Sequence, residues 1–166
     1  MRRVLWGLLL AAGLGGWTGL AQGMPATAGE TLSGKRLVLA EAVKGHAAVL
    51  VVGFSREAGD GSGLWAKALH GDAAMAGVPV YQAAMLEKAP GFVRGMIKSG
   101  MRKGLKAAQQ DDFVVLTQDE KLWRAYLQVT EDKDPYVVLL DAGGNVLWHG
   151  HGAAEGLEPL LRAAKR

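Results

Sequence analysis

The sequence predicts an α/β domain built on a central mixed, mainly parallel sheet with helices on its faces. Short apolar runs rich in β-branched residues alternate with segments of helical periodicity, which is the pattern of a largely parallel sheet. Residues 47–54 contain no polar side chain, as expected of a strand that is buried on both faces. A predicted β-hairpin followed by a helix ends the chain, so the sheet should also contain antiparallel strands.

The first half of the domain is predicted to hold three strands and one helix. Residues 35–41 and 47–54 are the first two strands. Residues 57–63 are rich in glycine and are expected to form a loop, which resembles an anion-binding turn only in outline because the Lys-Ser/Thr of a nucleotide-binding loop is missing. Apolar residues at helical spacing predict a helix over residues 64–75, and residues 78–85 form the third strand.

The second half is predicted to continue the alternation. Pro90 lies near the first turn of a helix over residues 90–108, a position that tolerates proline. Thr117 and Glu120 have the spacing of a capping box, which indicates a helix that starts there. The remaining elements follow from apolar runs, a Gly-Gly turn and helical spacing: strands at 113–116, 136–141 and 145–149, and a helix at 153–165.

Composition limits the chemistry that the chain can carry out. Its 166 residues are enough for one domain, and it has no cysteine, which excludes disulfides, zinc–thiolate sites and thiol-based redox catalysis. The net charge of +3 is too small to indicate wholesale nucleic-acid binding. No nucleophile–base motif is recognisable, so we expect a protein that is not an enzyme and needs no cofactor.

The N-terminus has the pattern of an export signal. Two arginines precede the uncharged apolar residues 4–21, and small residues at Ala21 and Gly23 suit cleavage after residue 23. We therefore expect residues 1–23 to be a signal peptide, residues 24–34 a linker and residues 35–166 the domain. The predicted location is the periplasm. An uncleaved segment would instead anchor the protein in the inner membrane.

The end of the chain resembles the thioredoxin-like superfamily. The resemblance lies in residues 134–141, the Gly-Gly-Asn turn and residues 146–148. It implies a thioredoxin-like fold in which Pro135 is the cis-proline that faces the redox site. The redox motif would follow the strand that ends at Phe54, but residues 55–63 hold no cysteine and so no CxxC.

A narrower resemblance covers most of residues 31–165. The basic segment 96–104, Phe54-Ser55 and the Trp-His-Gly-His-Gly sequence at 148–152 resemble the mitochondrial ATP synthase assembly factors that chaperone subunit a. This resemblance implies a non-catalytic assembly or chaperone protein whose client is a subunit of a membrane complex.

The helix predicted at 90–108 is strongly basic. No acidic residue occurs between Lys88 and Lys106, and an apolar stripe runs beside the cations. Such a helix can bind an anionic membrane surface or an acidic partner, or it can be a solvated face whose other side packs on the sheet. The predicted binding residues are Arg94, Lys98, Arg102, Lys103 and Lys106.

Two further functions remain open at this stage. His149 and His151 alternate on a strand and could meet one metal ion in a periplasmic metal-binding module, but no third ligand is evident, and we predict no metal site. Alternatively, the protein is an oxidoreductase homologue that has lost its thiols and binds a peptide or a small ligand near residues 55–63.

Overall fold

The computed structural model describes residues 23–165, so almost all of the predicted signal peptide lies outside the described residues. The described chain forms one seven-stranded sheet and five α-helices. In chain order they are β1 (Ala28–Thr31), β2 (Arg36–Val38), α1 (Leu39–Ala42), β3 (Ala48–Gly53), α2 (Arg56–Gly71), β4 (Val80–Met85), α3 (Gly91–Gly104), β5 (Phe113–Leu116), α4 (Glu120–Leu127), β6 (Tyr136–Leu140), β7 (Val146–His151) and α5 (Leu157–Ala164).

The strands lie in the order β2-β1-β5-β4-β3-β6-β7. The sheet is mixed and flanked by helices, as predicted. It is not mainly parallel, however, because only β3–β4 and β4–β5 pair in parallel, while the other four pairings are antiparallel. The reason is that the hairpins β1–β2 and β6–β7 extend the parallel centre on both sides.

The core occupies both faces of the sheet, and β3 is buried along its whole length, as predicted. On one face α4 packs its buried Trp123 and Leu127 against the sheet. On the other face Trp65 and Leu69 of α2 meet Leu160 of α5. Each such side chain contributes about 2–3 kcal/mol by leaving water, so these two layers hold the molecule together.

Residues 24–34 are not simply a linker. Residues 28–31 form β1, which pairs with β2 on one side and β5 on the other. Leu32 is completely buried, and a Cβ at Gly29 would collide with the side chain of Val114. This polar, glycine-containing segment is a strand because it pairs with a strand on each side, and local sequence does not show such pairing.

The predicted loop at 57–63 is the beginning of α2. Ser55 caps the helix, because its Oγ accepts a hydrogen bond of 3.1 Å from the Ala58 N–H. Ala58 and Ser62 are buried, and Ser62 Oγ donates to the carbonyl of Ala58 at 2.8 Å. Packing and the cap therefore outweigh the low helix propensity of three glycines, and α2 starts eight residues earlier than predicted.

The predicted capping box at Thr117 is also wrong. The helix α4 begins at Glu120, after Asp119 in a left-handed conformation with φ of 63°. The Glu120 N–H donates instead to Oε2 of Glu87, a residue of the loop after β4, at 2.6 Å. A distant carboxylate thus replaces the local cap and complements the positive end of the helix dipole.

Other predicted boundaries differ by a few residues. Residues 39–41 of the first predicted strand belong to α1, and the helix predicted at 90–108 ends at Gly104. The strand predicted at 145–149 continues to His151. None of the helices within residues 23–165 has the length and apolar character needed to cross a bilayer.

Candidate functional site

The carboxyl end of β3 is where the thioredoxin resemblance places a redox motif. Here the chain presents Phe54 and Ser55 and then enters α2. Ser55 has an extended backbone, and its side chain caps the N-terminus of α2. Since the sequence has no cysteine, this position carries out a structural task and cannot perform thiol chemistry.

Pro135 lies opposite the start of α2, as the resemblance implies, but the peptide bond before it is trans. No cis bond occurs anywhere in residues 23–165. The prediction of a cis-proline is therefore wrong, and trans is the form that an X–Pro bond ordinarily prefers by about 0.5–1 kcal/mol. A Cβ at Gly61 would lie 3.0 Å from Cγ and Cδ of Pro135, so glycine permits this close contact.

Aromatic side chains fill the space beside this position. The ring of Phe54 meets Tyr136 edge-on at 6.2 Å, and Tyr136 stacks on the imidazole of His151 at 5.1 Å. The Tyr136 hydroxyl accepts hydrogen bonds from the N–H groups of Thr130 and Glu131 at 2.8 and 2.9 Å. The rings are thus held by packing and by the backbone, and this end of the sheet is a packed surface.

A network of charged side chains lies over the ring of Phe54. The guanidinium of Arg124 lies 4.8 Å from the centre of the Phe54 ring and contacts Glu120 and Asp132 at 2.6 Å each. Lys88 reaches Glu120 at 2.9 Å. Sequence reasoning missed this network. Only the i,i+4 spacing of Glu120 and Arg124 signals it locally.

The network shifts the proton affinities of its members. Burial raises the pKa of Glu120, but the hydrogen bonds from Lys88 and Arg124 outweigh burial and hold that pKa below its usual value. The hydrogen bonds from Arg124 lower the pKa of Asp132. The hydrogen bond to Asp132 raises the pKa of Arg124 further. All three groups are therefore charged at neutral pH, and none is poised to exchange a proton.

The two histidines share a face of β7, as predicted, because they pair with Val138 and Tyr136 of β6. Nδ1 of His151 contacts Oδ2 of Asp134 at 2.6 Å. Burial lowers the pKa of His149. No group of three or more metal-binding side chains is assembled within the part of the chain that the structure describes.

The cations predicted to bind a partner fall into two sets. Arg94 donates to the carbonyls of Leu86 and Glu87 at 3.0 and 2.6 Å. Lys98 contacts Glu30 at 2.5 Å, and Arg102 donates to the carbonyl of Leu32 at 2.7 Å. Arg94 thus attaches α3 to the loop after β4, and Lys98 and Arg102 attach it to β1 and to the residue that follows β1. Lys103 and Lys106 are exposed and make no side-chain ion pair within residues 23–165.

The apolar residues of α3 are also divided. Val93, Ile97 and Met101 are half-buried, and Met101 packs on Leu32 and its neighbours. Phe92 and Met96 point away and are 77% and 71% exposed, and none of the helix residues is fully buried. The sequence pattern did not separate the two groups, because together they form an apolar stripe wider than one contact face can cover.

Comparison with known proteins identifies the fold. No protein-family model matches the chain, and no curated protein matches it by sequence. Solved structures do match. A SCO1/SenC family lipoprotein from Bacillus anthracis has a TM-score of 0.58 at 14% identity, with 87% of this chain and 94% of that chain covered.

Two more matches have TM-scores of 0.56. Xanthomonas campestris bacterioferritin comigratory protein, whose structure addresses alkyl peroxide reduction, is 20% identical, with 88% of this chain and 97% of that chain covered. BsSco, a member of the Sco family of cytochrome c oxidase assembly proteins, is 13% identical, with 83% and 88% covered. The chain therefore has the thioredoxin-like fold. On this fold the chain has no cysteine after β3, and it carries a basic surface helix, α3.

Proposed function

We propose that this protein is a non-catalytic, thioredoxin-like assembly or chaperone-type protein that acts at or near the membrane. The observation that carries the proposal is α3, a surface helix with two large apolar side chains in solvent and free cations at its end. Exposed apolar side chains that lie next to each other form the kind of patch that another molecule can cover.

Three further observations support this function. The sequence has no thiol, so the fold cannot serve disulfide exchange or peroxide reduction by cysteine. The structural neighbours include a family named for the assembly of cytochrome c oxidase. The sequence itself resembles assembly factors for the membrane sector of ATP synthase. In this proposal the client is a subunit of a membrane complex.

The location follows from the N-terminal segment. A cleaved or anchoring signal at residues 1–23 delivers the domain to the periplasmic side of the inner membrane. There α3 meets clients as they insert. Fusion of the first 23 residues to a reporter that is active only after export tests this location, and an inactive reporter would contradict it.

The function is tested in cells that lack the protein. We expect a lower amount of at least one assembled membrane complex on native gels, and full restoration by the wild-type chain. Phe92→Asp with Met96→Asp should fail to restore it. Leu64→Asp, which changes an exposed leucine on α2, should restore it and serves as the matched control. Normal complexes in the deletion strain would refute the proposal.

A further inference from the structure

We infer that the outward face of α3 binds an α-helical segment of a partner protein that is apolar on its contacting side and carries flanking carboxylates. This inference rests on the proposed function and deepens it by naming the chemistry of the partner. The outward face consists of Phe92, Gly95, Met96, Ser99, Gly100 and Lys103, all of which are exposed.

The large side chains of this face form a single ridge. Residues four apart on a helix lie almost above one another, and each residue rises 1.5 Å, so Phe92 and Met96 are separated by about 6 Å along the axis. Lys103 continues the ridge about 10 Å further. Two apolar projections in line, followed by a charge, match the spacing of side chains that insert between the turns of a facing helix.

Small residues give the ridge a flat border. Ser99 and the glycines at 95 and 100 lie beside Phe92 and Met96, and an added Cβ at either glycine would meet no atom within 4 Å. The described chain therefore does not require glycine at these positions, although glycine weakens a helix interior. Small residues beside the ridge do let the backbone of a second helix approach closely while Phe92 and Met96 contact that helix.

The charge of the face identifies the flanking groups of the partner. Residues 89–110 contain no acid. Because Arg94, Lys98 and Arg102 contact β1, the residue after it or the loop after β4, the unpaired charge is that of Lys103 and Lys106, both near the carboxyl end of α3. Carboxylates on the partner would complement it. A lipid surface is favoured less, since two apolar side chains and two free cations make a small contact with a bilayer.

One substitution separates a helix from a membrane as the partner. Gly95→Leu adds a large apolar group to the border of the ridge. It should block close approach of a helix, whereas it should strengthen insertion into a bilayer. The position is open, so the variant should fold and have a higher thermal midpoint. Gly104→Leu, at the end of α3 and off the outward face, is the control.

The probes are a helical peptide and a vesicle. The peptide has 20 Leu and Ala residues with glutamates in one flanking row, and the vesicles contain phosphatidylglycerol and phosphatidylcholine. We expect the full chain to bind the peptide, Gly95→Leu to weaken this binding at least tenfold, and Gly104→Leu to leave it unchanged. A peptide with lysines in place of glutamates should bind at least tenfold more weakly than the acidic peptide.

Three results would overturn the inference: no peptide binding by the wild type, equal binding by Gly95→Leu, or binding to vesicles alone that Gly95→Leu strengthens. The last result would identify the membrane as the partner. Complex assembly in the deletion strain reports on the proposed function separately. If assembly fails without the protein while the peptide does not bind, the function stands and this inference falls.

Discussion

Ser55, which lies where the thioredoxin resemblance places a redox motif, has a structural task in this chain. Its Oγ accepts the Ala58 N–H, which would otherwise have no partner in the first turn of α2. We expect Ser55→Ala to lower the free energy of unfolding by about 1 kcal/mol, measured by urea denaturation. Ser99→Ala, in the exposed part of α3, should change it by less than about 0.5 kcal/mol. Equal effects would show that the cap is unimportant.

Tyr126 offers a second test at the residue scale. It is 3% exposed, its hydroxyl has no hydrogen-bond partner in the described chain, and burial raises its pKa to about 12. The folded state therefore resists ionisation while the unfolded state ionises near pH 10.

The sign of the effect follows from proton binding. Between pH 10 and 12 the folded state holds the proton that the unfolded state releases, so rising pH favours unfolding by about 1.4 kcal/mol per pH unit. We expect the wild type to lose about 2–3 kcal/mol more than Tyr126→Phe over this interval. At neutral pH Tyr126→Phe should be at least as stable as the wild type, because no unsatisfied hydroxyl remains. Parallel pH profiles of the two proteins would contradict this account.

At the scale of one element, α3 is held by three cations that contact β1, the residue after it and the loop after β4, and by half-buried apolar side chains such as Met101. Arg102 links the helix to the carbonyl of Leu32. We expect Arg102→Leu to lower stability by about 1–2 kcal/mol and to speed amide hydrogen exchange within residues 91–104. Lys103→Leu removes a charge with no partner in the described chain and should alter neither quantity. Slow exchange in Arg102→Leu would show that the guanidinium does not anchor α3.

The same helix shows where prediction from sequence succeeds and where it stops. Its basic and apolar composition was readable from residues 90–108, and so was the existence of the helix. The sequence did not show which cations face solvent. Arg94 contacts the carbonyl of Glu87 in an adjoining loop, and Lys98 contacts the carboxylate of Glu30, which is far from α3 in the chain. Sequence periodicity shows that a helix has an apolar face, but tertiary contacts decide which residues of that face pack on the rest of the protein.

At the scale of the whole molecule, the order of strands and helices from β3 to α5 was predictable because apolar runs and helical spacing are strong local signals. Three features were not. The strand β1 depends on pairing with β2 and β5, the start of α2 depends on burial of Ala58 and Ser62, and the carboxylate cap of α4 comes from Glu87. The charge network around Arg124 also joins residues that the fold brings together. Each of these features depends on contacts between parts of the chain that lie apart.

The role of β1 in the whole fold is directly testable. A chain that starts at residue 24 should unfold cooperatively, whereas one that starts at residue 36 loses β1 and the buried Leu32. We expect the shorter chain to lose at least about 3 kcal/mol, since removing one large buried side chain alone costs about that much. Differential scanning calorimetry measures the change. Equal transition temperatures would mean that residues 24–35 are indeed only a linker.

The central claim is that this thiol-free thioredoxin-like protein acts by holding a client helix on the outward face of α3. Photocrosslinking in cells tests it most directly, with a photoreactive amino acid at position 96, which is 71% exposed, and, as the control, at position 64 of α2, which is 63% exposed. The account predicts a discrete product from position 96 alone, mapped by mass spectrometry to an apolar helix of a membrane-complex subunit. No such product from position 96, or the same product from both positions, would contradict it.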